Sequence, residues 1–518
     1  MDSDRVVAIS TCTEPIGYPK NPPFYPGEPY PEHVGRVPLG NEVNITYRIF
    51  RELMLDLNMD AKRFGTPDWN PLGEIIRPGQ KILIKPNLVQ HLHGTGGDYH
   101  AVVTHGSLIR CVLDYVGRAL EGKGEITVGD APLQSADFVQ IIDRTGLQKV
   151  CDNAEKIWRI PVRLVDFRLW SVQLGSYDCI KKGDFLEGDA KGYVSVNLGK
   201  RSLLAPLGGQ SDRFRVTNYN CFEMEMHHNT IVHEYLIPRT VLNADVIINL
   251  PKLKTHRKVG LTAALKNLVG INGHKDWLPH HRYGSVIEGG DEYKESSFLK
   301  RLQTYLSEKN DGDLSRKWNF VRHLMIRSIG RVNRYLASDP FLEGSWYGND
   351  TLWRTVLDLN RLVLYADREG KMTNHRQRQY IAIVDAIIAG EGEGPMEPDA
   401  RHCGILLGGS NPVCVDAVSA TMVGFDYEKI PLISNGFKIK EWPLVDFKPD
   451  EIVSRSRDHR WQSLRVGNDP RHLSFTPPMG WVGQIECKER HRKHDKSEQN
   501  LNIFNTSEHS PSDTERNK

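Results

Sequence analysis

The chain has 518 residues, 39% hydrophobic and 25% charged, the balance of a globular protein with one large core or two. With 67 Lys and Arg against 65 Asp and Glu, its net charge of +2 leaves no case for bulk nucleic-acid binding. No apolar run approaches the roughly 20 residues of a membrane span.

The first residues, MDSDRVVAIS, carry acids where a secretory signal carries bases, so a cytoplasmic address is expected. Val6, Val7, Ala8 and Ile9 open the first strand. Residues 15–38 are rich in Pro, Gly and Tyr and read as a loop available to pack over a site. Residues 41–57 have helical periodicity. Pro78 and Gly79 form a turn, and the strand at 81–84 ends in Lys85, Pro86 and Asn87. The following loop carries His91, His93 and His100 among glycines. Thr104 is placed to cap a helix through Leu108, Val112 and Val116 to Leu120. The next strand, 125–128, ends in Gly129, Asp130, Ala131 and Pro132. Strand, helix and strand at this short spacing predict a parallel sheet with right-handed crossovers.

Residues 147–239 are less regular, and the alternation at 193–198 suggests an inserted β-rich layer over about 147–240. The core sheet returns at 245. Residues 246–250, VIINL, suit a buried strand that Pro251 ends. A cationic loop with Lys252, Lys254, His256, Arg257 and Lys258 follows. Gly260 then admits a helical segment, 261–269, with Leu261, Ala264, Leu265, Leu268 and Val269 on one arc. Lys266 lies at the margin of that arc and Asn267 on the far side. A second polar loop brings His274, Lys275, His280 and His281. Residues 296–336 are basic and helical, and 351–365 form an amphipathic helix, so 286–375 reads as a helical insertion. The core resumes at 380–388 and 404–407. A helix with Pro412 in its first turn covers 412–423. From 483 the polar composition predicts a disordered tail. The expected fold is α/β: a mainly parallel central sheet with helices on both faces, a β-rich insertion and a helical insertion. Residues 1–285 and 376–482 form its core domain.

Several strands end in polar groups, and a parallel sheet brings such ends to one edge, where ligands bind. Lys85, Asn87, Lys252, Lys254 and Asn267 are candidates to hold an anionic ligand or cofactor there. His256 is the candidate general acid or base, because imidazole titrates near neutral pH. Lys266, beside an apolar arc, is the lysine to be partly desolvated, which suits a base, nucleophile or anion anchor. Asp130 completes the catalytic set by orientation. Each lysine alone reads equally as a solvated loop residue; the cluster carries the argument. Residues 390–395, GEGEGP, resemble a dinucleotide loop only superficially, since two carboxylates would face the phosphate. Asp385, Glu391 and Asp416 instead suit a hard cation such as Mg²⁺, against the blander reading of an acidic turn. The eight cysteines, Cys12, Cys111, Cys151, Cys179, Cys221, Cys403, Cys414 and Cys487, contain no C-x-x-C pair. Neither ferredoxin nor standard zinc spacing is present.

The stretch PKLKTH, followed by GLTAALKNLVGI and GHKDW, resembles the signature of the bacterial and archaeal family called domain of unknown function 362. KILIKPNLV, ITVGDAP, IVDAIIAGEGEGP and GGSNPVCVDAVSATMVGFD agree with it, over roughly residues 6–433. The resemblance implies an architecture and a site but no settled reaction. Many relatives carry a ferredoxin-like iron–sulfur segment. This chain does not, so an iron–sulfur cluster is not expected, and redox chemistry would require an external electron carrier. The leading reading is an enzyme acting on an anionic small molecule, carboxylate or phosphate. The alternative is a non-catalytic metabolite- or cofactor-binding protein, or one that docks a protein partner through the helical insertion. An enzyme should bring His256 and Lys266 to a common point beside a carboxylate.

Overall fold

Runs of β-branched residues alternate with helical segments, and they assemble into one ten-stranded sheet. The computed structural model describes residues 2–12, 16–174, 180–216, 221–308, 316–336 and 340–487. The strands are β1 (Val6–Thr11), β2 (Lys81–Pro86), β3 (Glu125–Asp130), β4 (Val162–Asp166) and β5 (Val246–Leu250). They continue as β6 (Lys252–His256), β7 (Gly260–Thr262), β8 (Gln379–Glu393), β9 (Glu397–Gly409) and β10 (Val453–Arg455). The spatial order is β10-β1-β9-β8-β5-β2-β3-β4, with β6 joining β8 and β7 joining β6. From β8 through β5, β2 and β3 to β4, all neighbours are parallel. The expected mainly parallel α/β sheet is present. The stretch at 404–407 lies in β9, which is antiparallel to both β8 and β1. Three residues join β8 to β9, far too few for a parallel crossover.

Eight helices matter below: α1 (Ile45–Asp56), α2 (Gly106–Leu120), α3 (Leu147–Trp158), α4 (Ala264–Asn267), α5 (Phe298–Glu308), α6 (Arg316–Leu336), α7 (Leu352–Tyr365) and α8 (Pro412–Val423). Strand side chains alternate between faces. Ile82, Ile84, Val246, Ile248, Ile381 and Ile383 pack into a core shared with α1, α2 and α3. Leu83, Ile247, Ala382 and Val384 point into a second core filled by α7 and α8. Helix α2 lies on the connection from β2 to β3, and α7 on the connection from β5 to β8. The chain therefore leaves β2 and β5 in opposite directions. The crevice beyond their carboxyl ends is a topological switch point, where α/β sheets place ligands.

Two local expectations give way. The expected cationic loop is a strand: β6 pairs parallel with β8, Lys252 opposite Asp385, and antiparallel with β7, Lys254 opposite Thr262. Residues 257–259 make the turn between β6 and β7, and Gly260, at φ +81°, leads out of it as the first residue of β7. The helix consequently starts at Ala264 rather than Leu261, and passes into a 3₁₀ turn over Leu268–Ile271. Around the expected insertions, residues Leu147–Trp158 are helical and β4 joins the main sheet. The β-rich part consists of the pairs Trp170–Leu174 with Ile180–Phe185 and Tyr193–Asn197 with Glu234–Pro238. In α7 every residue except Arg354 is buried, so this helix packs into the core. Its amphipathic look comes from Asp358 and Arg361, which pair with each other inside the protein. Residues 483–487 also pack: Ile485 is buried, and the Cys487 amide donates to Gly424 O at 2.9 Å. The expected tail beyond 487 lies outside the described residues. Among the described residues no helix is long and apolar enough to cross a membrane.

Candidate functional site

Strand β2 delivers Lys85 to the switch point, and β3 delivers Asp130 beside it. Both are buried, with Lys85 Nζ 2.7 Å from Asp130 Oδ1. Lys85 also donates to Pro86 O at 2.7 Å. Asp130 accepts from the amides of Leu88 at 2.6 Å and Ala131 at 2.8 Å. Gly270 lies directly against this pair, and its carbonyl accepts from Ala131 N at 2.8 Å. A Cβ at Gly270 would stand 1.9 Å from Asp130 Oδ1 and 2.7 Å from Lys85 Nζ.

A ladder of side-chain amides runs from this pair to β6. Lys254 Nζ donates to Val102 O at 2.5 Å and Asn87 Oδ1 at 3.2 Å. Asn87 donates to Asn267 Oδ1 at 2.9 Å. Asn267 donates to Lys85 O at 3.1 Å and Asn249 Oδ1 at 2.7 Å. Asn249 donates to Ala264 O and to Tyr380 Oη. Each amide is used at both ends, so the ladder fixes β5, β6, β8 and α4 relative to one another. Burial, reinforced by Lys252 and Lys266, pushes the Lys254 amine well below its ordinary pKa.

At the far end of the same face, Lys252 Nζ meets Asp385 Oδ2 at 2.8 Å, Tyr18 Oη at 2.8 Å and Ile388 O at 3.1 Å. Tyr18 donates to Asp385 Oδ1 at 2.5 Å. Its ring stacks on His105, with centroids 4.0 Å apart. The His105 amide donates to Asp385 Oδ2 at 3.1 Å. Tyr18 comes from the proline-rich loop that composition marked as available to pack over a site.

The cationic groups nearer solvent come from α4 and the loop after it. Lys266 is half-buried and makes no hydrogen bond or ion pair among the described residues. Burial, then repulsion from Lys258 and Lys85, lowers its pKa to about 7. Lys275 reaches Val269 O at 3.3 Å, and burial lowers it to about 7 against the pull of Asp130. His256 Nδ1 accepts from the Lys258 amide at 3.1 Å, which places the proton of the neutral ring on Nε2. His280 has the opposite tautomer: Nδ1 donates to Leu278 O at 2.6 Å, leaving Nε2 as an acceptor. Burial and neighbouring lysines hold both imidazoles well below their ordinary pKa. At neutral pH one ring offers an N–H and the other a lone pair.

The structure thus gathers Lys85, Asn87, Asp130, Lys252, Lys254, His256, Lys266, Asn267 and Asp385 at one edge of the sheet. The three expected metal ligands do not converge. Asp385 is held by Lys252 and Tyr18. Asp416 accepts from the amides of Ala264 at 2.6 Å and Leu265 at 3.2 Å, capping α4, and burial pushes its carboxyl up to about 8. Glu391 accepts from Thr476 N at 2.8 Å and lies 3.4 Å from Arg401. Glu393 pairs with Arg257 at 3.0 Å. The acidic stretch is part of the β8–β9 ribbon, and guanidinium groups neutralise its carboxylates. Among the described residues no group of three or more His, Cys, Asp or Glu is placed to hold a metal.

Sequence reasoning missed Tyr18, His105 and Asn249 as parts of this network. It also gave Thr104 the wrong task. His105 caps α2, accepting from Ser107 N at 3.1 Å. Thr104 instead accepts from Asn87 N and donates to Leu250 O, tying the ends of β2 and β5. A cavity of about 680 Å³ lies elsewhere, at the amino ends of β5 and β8, lined by Asp245, Arg378, Gln379 and Tyr380 among others.

No curated protein matches the chain. Among solved structures it is similar to a protein from Thermotoga maritima, at 11% identity and a TM-score of 0.26. That alignment covers 64% of this chain and 52% of the other, so the chain spans about half the length of that protein. A family model described as "Domain of unknown function (DUF362)" matches residues 82–182 and 187–421, well over half of the sequence. It contains β2, β3, β5, β6 and α4, the elements that build the site just described, and the chain belongs to the family called domain of unknown function 362.

Proposed function

We propose that the protein binds an anionic small molecule, a carboxylate or phosphate compound, in the crevice beyond β2 and β5 and acts on it by proton transfer. One observation carries this reading. Lys254, Lys266 and Lys275 are buried or half-buried at one site, and none pairs with a carboxylate among the described residues. Buried ammonium groups are costly without a counter-charge, and an anion bridging Lys266 and Lys275 would supply it. Lys254 is held by Asn87 Oδ1 and Val102 O, so it belongs to the amide ladder rather than to the ligand contact. His256 Nε2–H suits donation to the bound anion, and His280 Nε2 suits proton acceptance. Lys266, half-charged near neutrality, is a second group able to exchange a proton.

Succinate, a dicarboxylate ionised throughout the range needed, is a suitable probe. Calorimetric titration should show affinity falling as pH rises through about 7, because Lys266 and Lys275 lose their charge there. Lys266→Met should weaken binding by about 1.5–3 kcal/mol, the range for a charge-assisted hydrogen bond, and make the pH dependence shallower, leaving the part due to Lys275. Unchanged affinity in both Lys266→Met and Lys275→Met would overturn the reading.

The ligand-free protein provides a separate check. The amine of Lys266 titrates at about 7 when folded and at ~10.5 when unfolded. Between those values the unfolded chain binds the extra proton, so this residue's contribution to stability rises with pH. Lys266→Met should therefore melt above the wild type near pH 6, and the gap should close toward pH 10.

A further inference from the structure

The rings of His256 and His280 differ in what they offer a ligand, and main-chain groups fix the difference. His280 Nδ1 lies 2.6 Å from Leu278 O. A carbonyl can only accept, so the proton of the neutral ring sits on Nδ1 and Nε2 keeps a lone pair. That Nε2 makes no hydrogen bond among the described residues. Its backbone is held on both sides, by Arg215 O at 2.8 Å and by the side-chain amide of Asn349 at 2.9 Å. Burial keeps the ring neutral near pH 7, and the charges of Lys258, Lys266 and Lys275 act in the same direction. Thr262 adds a second uncharged polar group. It stands opposite Lys254 across the β6–β7 pair, so both side chains leave the same face, and its buried hydroxyl has no hydrogen-bond partner.

A ligand made only of anionic oxygens fits half of this set. It satisfies Lys266, Lys275 and the Nε2–H of His256. Against His280 it sets oxygen lone pairs against a nitrogen lone pair. A half-buried acceptor that gives up water and gains no donor costs free energy. An ammonium group could donate there, but the three lysines around the ring repel it. An uncharged O–H meets both demands. We propose that the ligand of this site carries a hydroxyl beside its carboxylate or phosphate, and that this hydroxyl donates to His280 Nε2. The inference rests on the anion site proposed above and adds the class of compound: hydroxy acids or phosphorylated polyols, rather than plain carboxylates or alkyl phosphates.

Two pairs of probes differ only in hydroxyl groups: malate against succinate, and glycerol 3-phosphate against propyl phosphate. Calorimetric titration of the full-length protein at neutral pH measures all four, and the pair that binds identifies the anionic group. Within that pair the hydroxylated member should bind about fivefold tighter, the effect of one ordinary hydrogen bond. His280→Phe keeps a ring and removes the acceptor, so the two members should then bind alike. His280→Gln, whose amide oxygen can accept, should restore part of the preference. Equal affinity of the two members in the wild type would overturn the inference, as would a preference that survives in His280→Phe. If Lys266→Met still weakens both members in that case, the anion site itself stands. Binding of neither pair would overturn the anion site and this inference together. The wild-type comparison needs no variant, so it decides even if His280→Phe fails to fold.

Discussion

Replacing Gly270 with alanine should destabilise the protein by about 3–5 kcal/mol, as breaking a buried ion pair does. The added methyl would stand 1.9 Å from Asp130 Oδ1 and 2.7 Å from Lys85 Nζ. None of these groups has room to withdraw. Asp130 is anchored by the amides of Leu88 and Ala131, Lys85 by Pro86 O, and the Gly270 carbonyl by Ala131 N. The methyl must part the two charges, and each buried charge then lacks its partner. Urea unfolding of wild type and Gly270→Ala measures the effect. A loss below about 1 kcal/mol, the size of an ordinary surface change, would show that the pair rearranges without separating.

Asp385→Asn should cost a similar amount, about 3–5 kcal/mol, by a different route. The shape is kept, but Lys252 is left as a fully buried cation that keeps its hydrogen bonds to Tyr18 Oη and Ile388 O and loses the carboxylate it pairs with. Tyr18 also exchanges a charged acceptor for a neutral one. Adding Lys252→Met to Asp385→Asn removes the stranded charge and should recover most of the loss, since the two residues interact directly. If the double variant is as unstable as Asp385→Asn alone, the penalty does not arise from the unpaired lysine. Ligand binding would not repeat this recovery if Lys252 contributes to the field at the proposed anion site. Stability and binding measured on the same double variant therefore separate the two roles.

The sheet was legible because its strands are short β-branched runs separated by helical periodicity, as at Ile82–Ile84 and Val246–Ile248. Lys85 and Asp130 were legible as polar groups at strand ends. Strand β6 was not. Lys252, Lys254 and His256 alternate like a strand, but alternate lysines normally signal a solvated edge, and here they point inward. What makes their burial possible is remote: Asp385 for Lys252, and Asn87 with Val102 for Lys254. The same remoteness hid Tyr18, whose hydroxyl meets a carboxylate 367 positions away. Glu391 and Glu393 misled for the converse reason. Their partners Arg401 and Arg257 look like ordinary surface charges, so the carboxylates seemed to lack a cation. The histidines could be recognised as a cluster, but their tautomers depend on the Lys258 amide and the Leu278 carbonyl, which only folded geometry specifies.

The position of β1 has a consequence for how the chain is made. Its two neighbours in the sheet are β9, through residues 405–408, and β10, through residues 453–455. Strand β1 is synthesised before either partner, and nearly four hundred residues separate it from the first of them. At roughly 5–20 residues per second, the ribosome needs about twenty to eighty seconds to supply that partner. During that interval Val7, Ala8 and Ile9, all fully buried in the finished protein, belong to a strand with both edges unpaired. Such a strand is a template for mispairing with other chains. Production of this protein should therefore be limited by how long its first strand must wait, and slowing translation should worsen the yield unless a chaperone shields that strand.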